Sequence, residues 1–499
     1  MENNEFKIVK YINDNVYGGI GLTKKEFELI NTRTFQRLRR IKQQGLLSYV
    51  FPSSEHTRFS HSLGVLYIMG KMTDHLVDTG DLKNEDRIKL RYAALLHDIG
   101  HYPLSHLTEG VYNTIDADAQ ESAFTTNVQS EQLVRPLIKF AHKCGKKSAH
   151  HEKLGAAVIE KRKDIKDILE SEGVDPKEIG QIIQGTTDNL IYHQLMHSSF
   201  DADRLDYLLR DSMSAGVKYG LIDLDYLIRL IKVGDFNIST PDNYDECKKV
   251  MGINVKGVHA LEHYLMARYF SYSQVTMHRT SAAFEVLAKA VIYELAQKKY
   301  IYENYDKVID IVDKDEFLAF DDSYLWEAVI KFREDLKNED GSSNGIYEQF
   351  IETLIERKKI KMLYEIKEIV TNPESKVEGE EETIDDNKTK IKKVTDYIDA
   401  NLSKIAEALN VDVRNIGYLE SVLSIEVPVN CGDEKNDTEA AKVYKNEKCI
   451  QLKDEQSSLV KELFDKSLHI FRVFLVCADN EDCNEQKATL EKKLMDAGF

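Results

Sequence analysis

The chain has 499 residues, 42% of them hydrophobic and 30% charged, an ordinary globular balance with enough apolar surface for two or three domains. Eighty-five Asp and Glu against 67 Lys and Arg give a net charge of −18, which argues against a general nucleic-acid surface but leaves local basic pockets open. Six cysteines without a CxxC pair exclude a disulfide scaffold and fit a reducing cytoplasm, and no apolar run has signal-peptide or membrane-spanning length.

In chain order, Gly18-Gly19-Ile20-Gly21 predicts a turn. Residues 62–77 place Leu63, Leu66, Tyr67 and Met69 at helical spacing. Residues 85–97 read as a buried helix with a charged start, and 259–298 as helical with few breakers. Gly341 to Gly345 predicts a second turn. The acidic stretch 372–388 is nearly free of apolar residues and predicts a linker or flexible loop, drawn at 372–393. Beyond it, 421–429, 448–452 and 468–478 are β-branched and aromatic, hence strands. The expected architecture is mainly α: a helical core over 1–371 with an insert near 111–149, then a smaller α+β region over 394–499.

Eleven of the 15 histidines fall between His56 and His197, which raises metal chemistry. In Leu95-Leu96-His97-Asp98-Ile99-Gly100-His101 an acid and an imidazole adjoin on an apolar helix, an expensive burial unless a partner or a cation neutralises it. A simple His–Asp hydrogen bond is the alternative. Arg58-Phe59-Ser60-His61-Ser62 opens a helix upstream, and His150-His151-Glu152 opens another downstream. Over 200–211, Asp203, Tyr207 and Asp211 recur at i, i+4 and i+8 and share a helix face, with Leu205, Leu208 and Leu209 packing behind. Asp206 and Arg210 fit a solvated face with ordinary ion pairs. His75, His142, His193 and His197 fit surface or packing roles.

The order RFxH, HDxGHxxxSH, HE and DxDRxDYxxRD resembles the HD-domain phosphohydrolases, specifically their dNTP triphosphohydrolase branch. FQRLRRIKQ at 35–43 and YVFP at 49–52 strengthen the likeness, and a weaker one returns at 442–476. The resemblance implies a helical HD-domain catalytic core that hydrolyses a deoxynucleoside triphosphate at its α-phosphorus, releasing deoxynucleoside and inorganic triphosphate. It implies metal ligands at His61, His97, Asp98 and Asp203, a mixed set suiting Fe, Mn, Co, Ni or Zn, with Mg as a second ion. It places His106 as general acid, His101 near the phosphates and His151 as a further pocket histidine. Arg58 and Arg204 match phosphate-neutralising positions, Tyr207 the sugar platform, Gln43 and Asp211 the 3′-hydroxyl partners, and Arg268 a neighbour of Asp211. Lys10, Asn13, Gln36 and Arg39 match a regulatory nucleotide pocket between subunits, although Asn31 stands where an Asp reads guanine. A homo-oligomer, dimer or tetramer, is implied with it, as is a part in limiting dNTP supply or in phage defence.

Three departures bear on substrate. Gln44 stands where vertebrate members have an apolar residue beside the sugar C2′, Thr276 replaces an aromatic near sugar and base, and the 111–149 insert lengthens the path from His106 to His151. They keep two other readings open: a nucleotidase or phosphodiesterase acting on another (ribo)nucleotide or single-stranded nucleic acid, and a non-catalytic nucleotide sensor.

Overall fold

A computed structural model describes residues 6–122, 137, 150–239, 245–338, 345–371, 389–425, 439–445, 448–477 and 483–499. The 372–388 stretch, most of the 111–149 insert and the turn at 341–344 lie outside the described residues. The chain opens with a hairpin of β1 (Ile8–Asp14) and β2 (Gly18–Thr23), pairing Ile12 with Ile20. Asp14 Oδ1 accepts from the Val16 and Tyr17 amides at 2.9 and 3.2 Å and closes the turn. The turn expected near the glycine run lies immediately before it, at 15–17. Only Gly18 has a positive φ (+73°) there, and Gly19 to Gly21 continue into β2.

Five helices then carry the residues singled out in the sequence: α1 (Arg58–Asp78), α2 (Asn84–Leu96), α3 (His106–Ser122), α4 (His150–Lys161) and α5 (Ala202–Ser214). Their apolar faces meet in one core that includes Leu66, Met69, Leu95, Leu154, Leu205 and Leu208. The Asp201 carboxylate caps α5 by accepting from the Arg204 amide at 2.7 Å. Leu104 and Ser105, just before α3, hold φ of +52° and +57°, a strained pair for side chains with a Cβ. The Leu104 amide is tied to Asp322 Oδ1 at 2.7 Å and the Ser105 hydroxyl to the Lys42 carbonyl at 2.6 Å. These bonds hold the strain in place and aim His106.

A second hairpin, β3 (Ile231–Ser239) and β4 (Asp245–Asn254), precedes α6 (Val258–Ser271) and α7 (Arg279–Gln297). The stretch read as helical over 259–298 is helical, in two α-helices. A π-helical turn at Tyr272–Thr276 ends α6, and the His278 ring caps α7 by accepting from the Thr280 amide at 3.3 Å.

The C-terminal part contains β5 (Ile360–Thr371), α8 (Lys390–Leu409), β6 (Ile416–Ser424), β7 (Lys442–Lys445), β8 (Lys448–Gln451), β9 (Lys466–Val476) and α9 (Asn484–Asp496). The strands predicted at 448–452 and 468–478 are β8 and β9. The one predicted at 421–429 begins earlier, at Ile416, and 426–429 lie outside the described residues. One antiparallel sheet has the order β5-β9-β6, and β7 extends the β3-β4 hairpin by pairing in parallel with β4. Helix α8 presents Ile391, Val394, Ile398, Leu402, Ile405 and Leu409 to Leu363, Tyr418, Phe471 and Val473 of the sheet. Cys477 at the end of β9 and Cys483 at the start of α9 come close together, with Cα atoms 6.8 Å apart. The fold is mainly α, with the smaller sheet region in the C-terminal part. Among the described residues no helix is long and apolar enough to cross a membrane.

Candidate active site

Three helix ends bring the expected ligands together. His61 comes from the first turn of α1, His97 and Asp98 from the end of α2, and Asp203 from the first turn of α5. His61 Nε2 lies 2.9 Å from Asp203 Oδ1 and 3.3 Å from His97 Nε2. His97 Nε2 is 3.3 Å from Asp98 Oδ1 and 3.8 Å from Asp203 Oδ1.

The far side of each imidazole is already committed. His61 Nδ1 donates to Asp206 Oδ2 at 2.7 Å, and His97 Nδ1 to the Ala94 carbonyl at 2.8 Å. Both Nε2 lone pairs therefore face one another across 3.3 Å beside two carboxylates, an arrangement that a shared cation satisfies. His61, His97 and Asp203 offer donor atoms within 4.8 Å of one another, so the residues fit a divalent metal. With no cation bound, burial opposes charge on His61, but ring hydrogen bonds to Asp203 and Asp206 outweigh it and push its pKa up to about 10, so a metal at Nε2 would take the place of a proton there.

Asp98 links this cluster to a second one. Its Oδ2 takes Arg58 Nη1 at 2.8 Å and its Oδ1 lies 3.0 Å from His101 Nε2. Burial raises the Asp98 pKa, but Arg58 and the neighbouring imidazoles dominate and hold it well below the usual carboxylate range. The His101 ring stacks on His151 with centroids 4.3 Å apart, and His106 stands edge-on to both, at 4.9 and 5.2 Å. Glu109 ties this trio together: its Oε2 takes His106 Nδ1 and its Oε1 takes His151 Nδ1, each at 2.8 Å. The Glu109 side chain is 6% exposed while that of His106 is 64% exposed, so the carboxylate lies behind and the imidazole faces outward.

The other expected residues fall into place unevenly. Arg58 is spent on Asp98, on Ser105 Oγ at 2.9 Å and on the Gln43 carbonyl at 3.4 Å, so it abuts the metal cluster rather than standing free. Arg204 pairs with Asp201. Tyr207 meets Tyr272 edge-on at 6.1 Å, so the π turn supplies an aromatic neighbour where Thr276 does not. Asp211 takes His56 Nε2 at 2.9 Å, and Arg268 donates to the Ile425 carbonyl at 2.7 Å. Gln43 and Gln44 each keep a buried Oε1 with no hydrogen-bond partner. Of the regulatory set, Arg39 donates to Gln36 Oε1 at 2.8 Å and covers the Phe59 ring, while Lys10 and Asn13 are exposed on β1.

The solvated face expected for Asp206 and Arg210 is not what the structure shows. Both are buried, at 0% and 1% exposure, and Asp206 anchors a metal-facing imidazole. Glu109 was not singled out from sequence. The signal available was its position three residues after His106 on one helix.

Residues 58–211, the segment that carries every group of the two clusters, match the HD domain family. The chain is 34% identical over 322 residues to an uncharacterized protein of Methanocaldococcus jannaschii, covering 64% of this chain and 57% of that one. It is 26% identical over 328 residues to the deoxynucleoside triphosphate triphosphohydrolase SAMHD1 homolog of Dictyostelium discoideum, covering 64% and 54%. The chain thus matches just over half the length of these curated relatives. A crystal structure of a hypothetical protein from Aquifex aeolicus shares the fold with a TM-score of 0.63 at 23% identity, over 96% of this chain and 99% of that one. The chain resembles the HD-domain dNTP triphosphohydrolases.

Proposed function

We propose that the protein is a metal-dependent dNTP triphosphohydrolase. One observation carries this reading: the His61, His97, Asp98 and Asp203 cluster shares Asp98 with Arg58 and with the His101–His106–His151 trio. A divalent metal held by the first cluster would supply positive charge that acidifies a water and polarises a phosphoryl oxygen. The chain's own groups do the rest. Arg58 and His101 flank the position for phosphate beside Asp98. Water attacks the α-phosphorus, the bond to the 5′-oxygen breaks, and His106, outward-facing and oriented by Glu109, gives that oxygen its proton. Tyr207, with Tyr272 edge-on beside it, offers an aromatic ring for the sugar to pack on, and Gln43 offers an acceptor to a hydroxyl. Assembly as a homo-oligomer, an activating nucleotide near Lys10, Asn13, Gln36 and Arg39, and a cytoplasmic location belong to this reading.

A second reading rests on Gln44. Its buried, unpartnered Oε1 accepts a hydrogen bond that a 2′-hydroxyl could donate, which favours acceptance of ribonucleotides at the same site. The test is to load the protein with Mn²⁺ and offer each dNTP and NTP singly, with and without GTP as activator. Release of inorganic triphosphate from dNTPs is expected. Absence of turnover on every nucleotide by metal-loaded protein overturns the enzymatic reading, and faster turnover of NTPs than dNTPs selects the second.

A further inference from the structure

Behind the metal-facing groups runs a line of charge that ends at the N-terminal hairpin. Asp206 Oδ2 takes His61 Nδ1 at 2.7 Å, and the same carboxylate takes Arg210 Nε at 2.8 Å and Nη2 at 3.0 Å. The far side of the guanidinium reaches Asp14, with Nη1 at 2.7 Å from Oδ2 and Nη2 at 3.3 Å from Oδ1. Asp14 is the last residue of β1 and its side chain is only 5% exposed.

Two further contacts show that the line is built into the fold. Gly64 of α1 passes so close that a Cβ there would lie 1.8 Å from Asp206 Oδ1 and 2.4 Å from Arg210 Nη2. Tyr17, in the turn that Asp14 closes, stacks on Tyr67 of α1 at 4.5 Å and lies 5.8 Å from the Arg210 guanidinium.

The charges decide what the line does. Asp206 with Arg210 alone would be a neutral pair, in which the guanidinium offsets much of the carboxylate's charge behind His61. Asp14 restores one negative charge. A carboxylate behind a ligating imidazole fixes its tautomer and raises the basicity of the other ring nitrogen, here Nε2.

We propose that Asp14 and Arg210 are positioning residues for the metal centre, so that metal retention at His61 depends on the N-terminal hairpin being docked. This rests on the metal-centre reading above. Linkage makes the dependence reciprocal: metal loading also holds the hairpin in place.

The test uses the full chain loaded with Mn²⁺, then exposed to excess chelator, with retained metal followed by mass spectrometry. Urea unfolding of the metal-free protein runs in parallel. Asp14→Asn keeps the shape and removes the charge, and is expected to lose metal about ten- to a hundredfold faster than wild type. Asp14→Glu is expected to recover retention, and Arg210→Lys to fall between. Asp74→Asn, at an exposed ion pair with Arg87, is the control and keeps the wild-type rate. Hydrogen exchange over 8–23 is expected to slow on metal loading in wild type and not in Asp14→Asn. Wild-type retention in both Asp14→Asn and Arg210→Lys overturns the proposal. So does lowered metal-free stability with an unchanged release rate, which makes the contact a structural tie only. A wild-type chain that takes up no Mn²⁺ removes the centre itself, a result distinct from either.

Discussion

Glu109 sets the charge of His151 in the second cluster. Burial works against a charged His151, but the Glu109 carboxylate outweighs it and raises the His151 pKa above its ordinary 6.5. Burial likewise works against an ionised Glu109, yet His151 and His106 carry its pKa far below the ordinary 4.5. The raised histidine contributes stability that is full below 6.5 and lost as pH rises through its folded value. The depressed carboxylate contributes stability that is present above 4.5 and lost as pH falls. Both are therefore full between about 4.5 and 6.5. Glu109→Gln in metal-free protein is expected to cost about 3 kcal/mol at pH 5.5 and clearly less at pH 9, read by urea unfolding. A pH-independent cost would mean that the contact is steric rather than ionic. At this scale the sequence was readable where residues adjoin. His97-Asp98, Arg58 to His61 and the Asp203–Tyr207–Asp211 stripe could all be marked because helical spacing puts them on one face. The Glu109–His151 contact spans 42 positions, and the Asp14–Arg210 contact 196, so no local pattern announces either.

At the scale of elements, the site depends on how closely α4 can approach the end of α2. Gly100 makes that approach possible. A Cβ there would lie 2.2 Å from the Gly155 amide nitrogen and 2.3 Å from the His151 carbonyl, both backbone atoms that cannot swing aside. Gly100→Ala must push α4 away and carry His151 off its stack on His101. The expected outcome is a loss of about 3 kcal/mol in urea unfolding together with loss of any phosphohydrolase activity. Gly345→Ala, with nothing within 4 Å of the added Cβ, serves as the comparison and is expected to be neutral or slightly stabilising. Equal stability of the two variants would mean that the helices are not in backbone contact. The helices α1 and α2 were legible because their apolar residues recur at helical period over long stretches. The break between α6 and α7 was not, because Tyr272 to Thr276 contains neither Gly nor Pro to mark it. Strand β5 was missed for another reason: in IKMLYEIKEIVT the apolar run Met362-Leu363-Tyr364, where the pairing register shifts, and the charged pair Lys367-Glu368 break the two-residue period.

For the whole molecule, the acidic stretch does not separate what its composition suggests. Strand β5 precedes it, yet β5 pairs along its length with β9, from Ile360 opposite Val476 to Thr371 opposite Lys466. Composition records where a chain is solvated, whereas sheet pairing is set by residues far away in sequence, and so the one does not foretell the other. The C-terminal part also packs on elements that precede β5. Phe474 packs against Ala282 and Ala283 of α7, Arg472 donates to the Met277 carbonyl at 2.7 Å, and β7 lies beside β4. The Ile425 carbonyl takes Arg268, the residue that the resemblance sets beside Asp211. A chain ending at residue 371 would leave β5 as an unpaired strand and uncover the apolar face of α7, the conditions under which strands recruit other copies. Such a truncation is expected to elute as aggregate in size-exclusion chromatography and to show no cooperative thermal transition by circular dichroism. A soluble monomer that melts cooperatively and still retains Mn²⁺ would instead establish that the helical part folds by itself. In that case the contacts to Arg268 and Met277 would adjust a finished site rather than complete it.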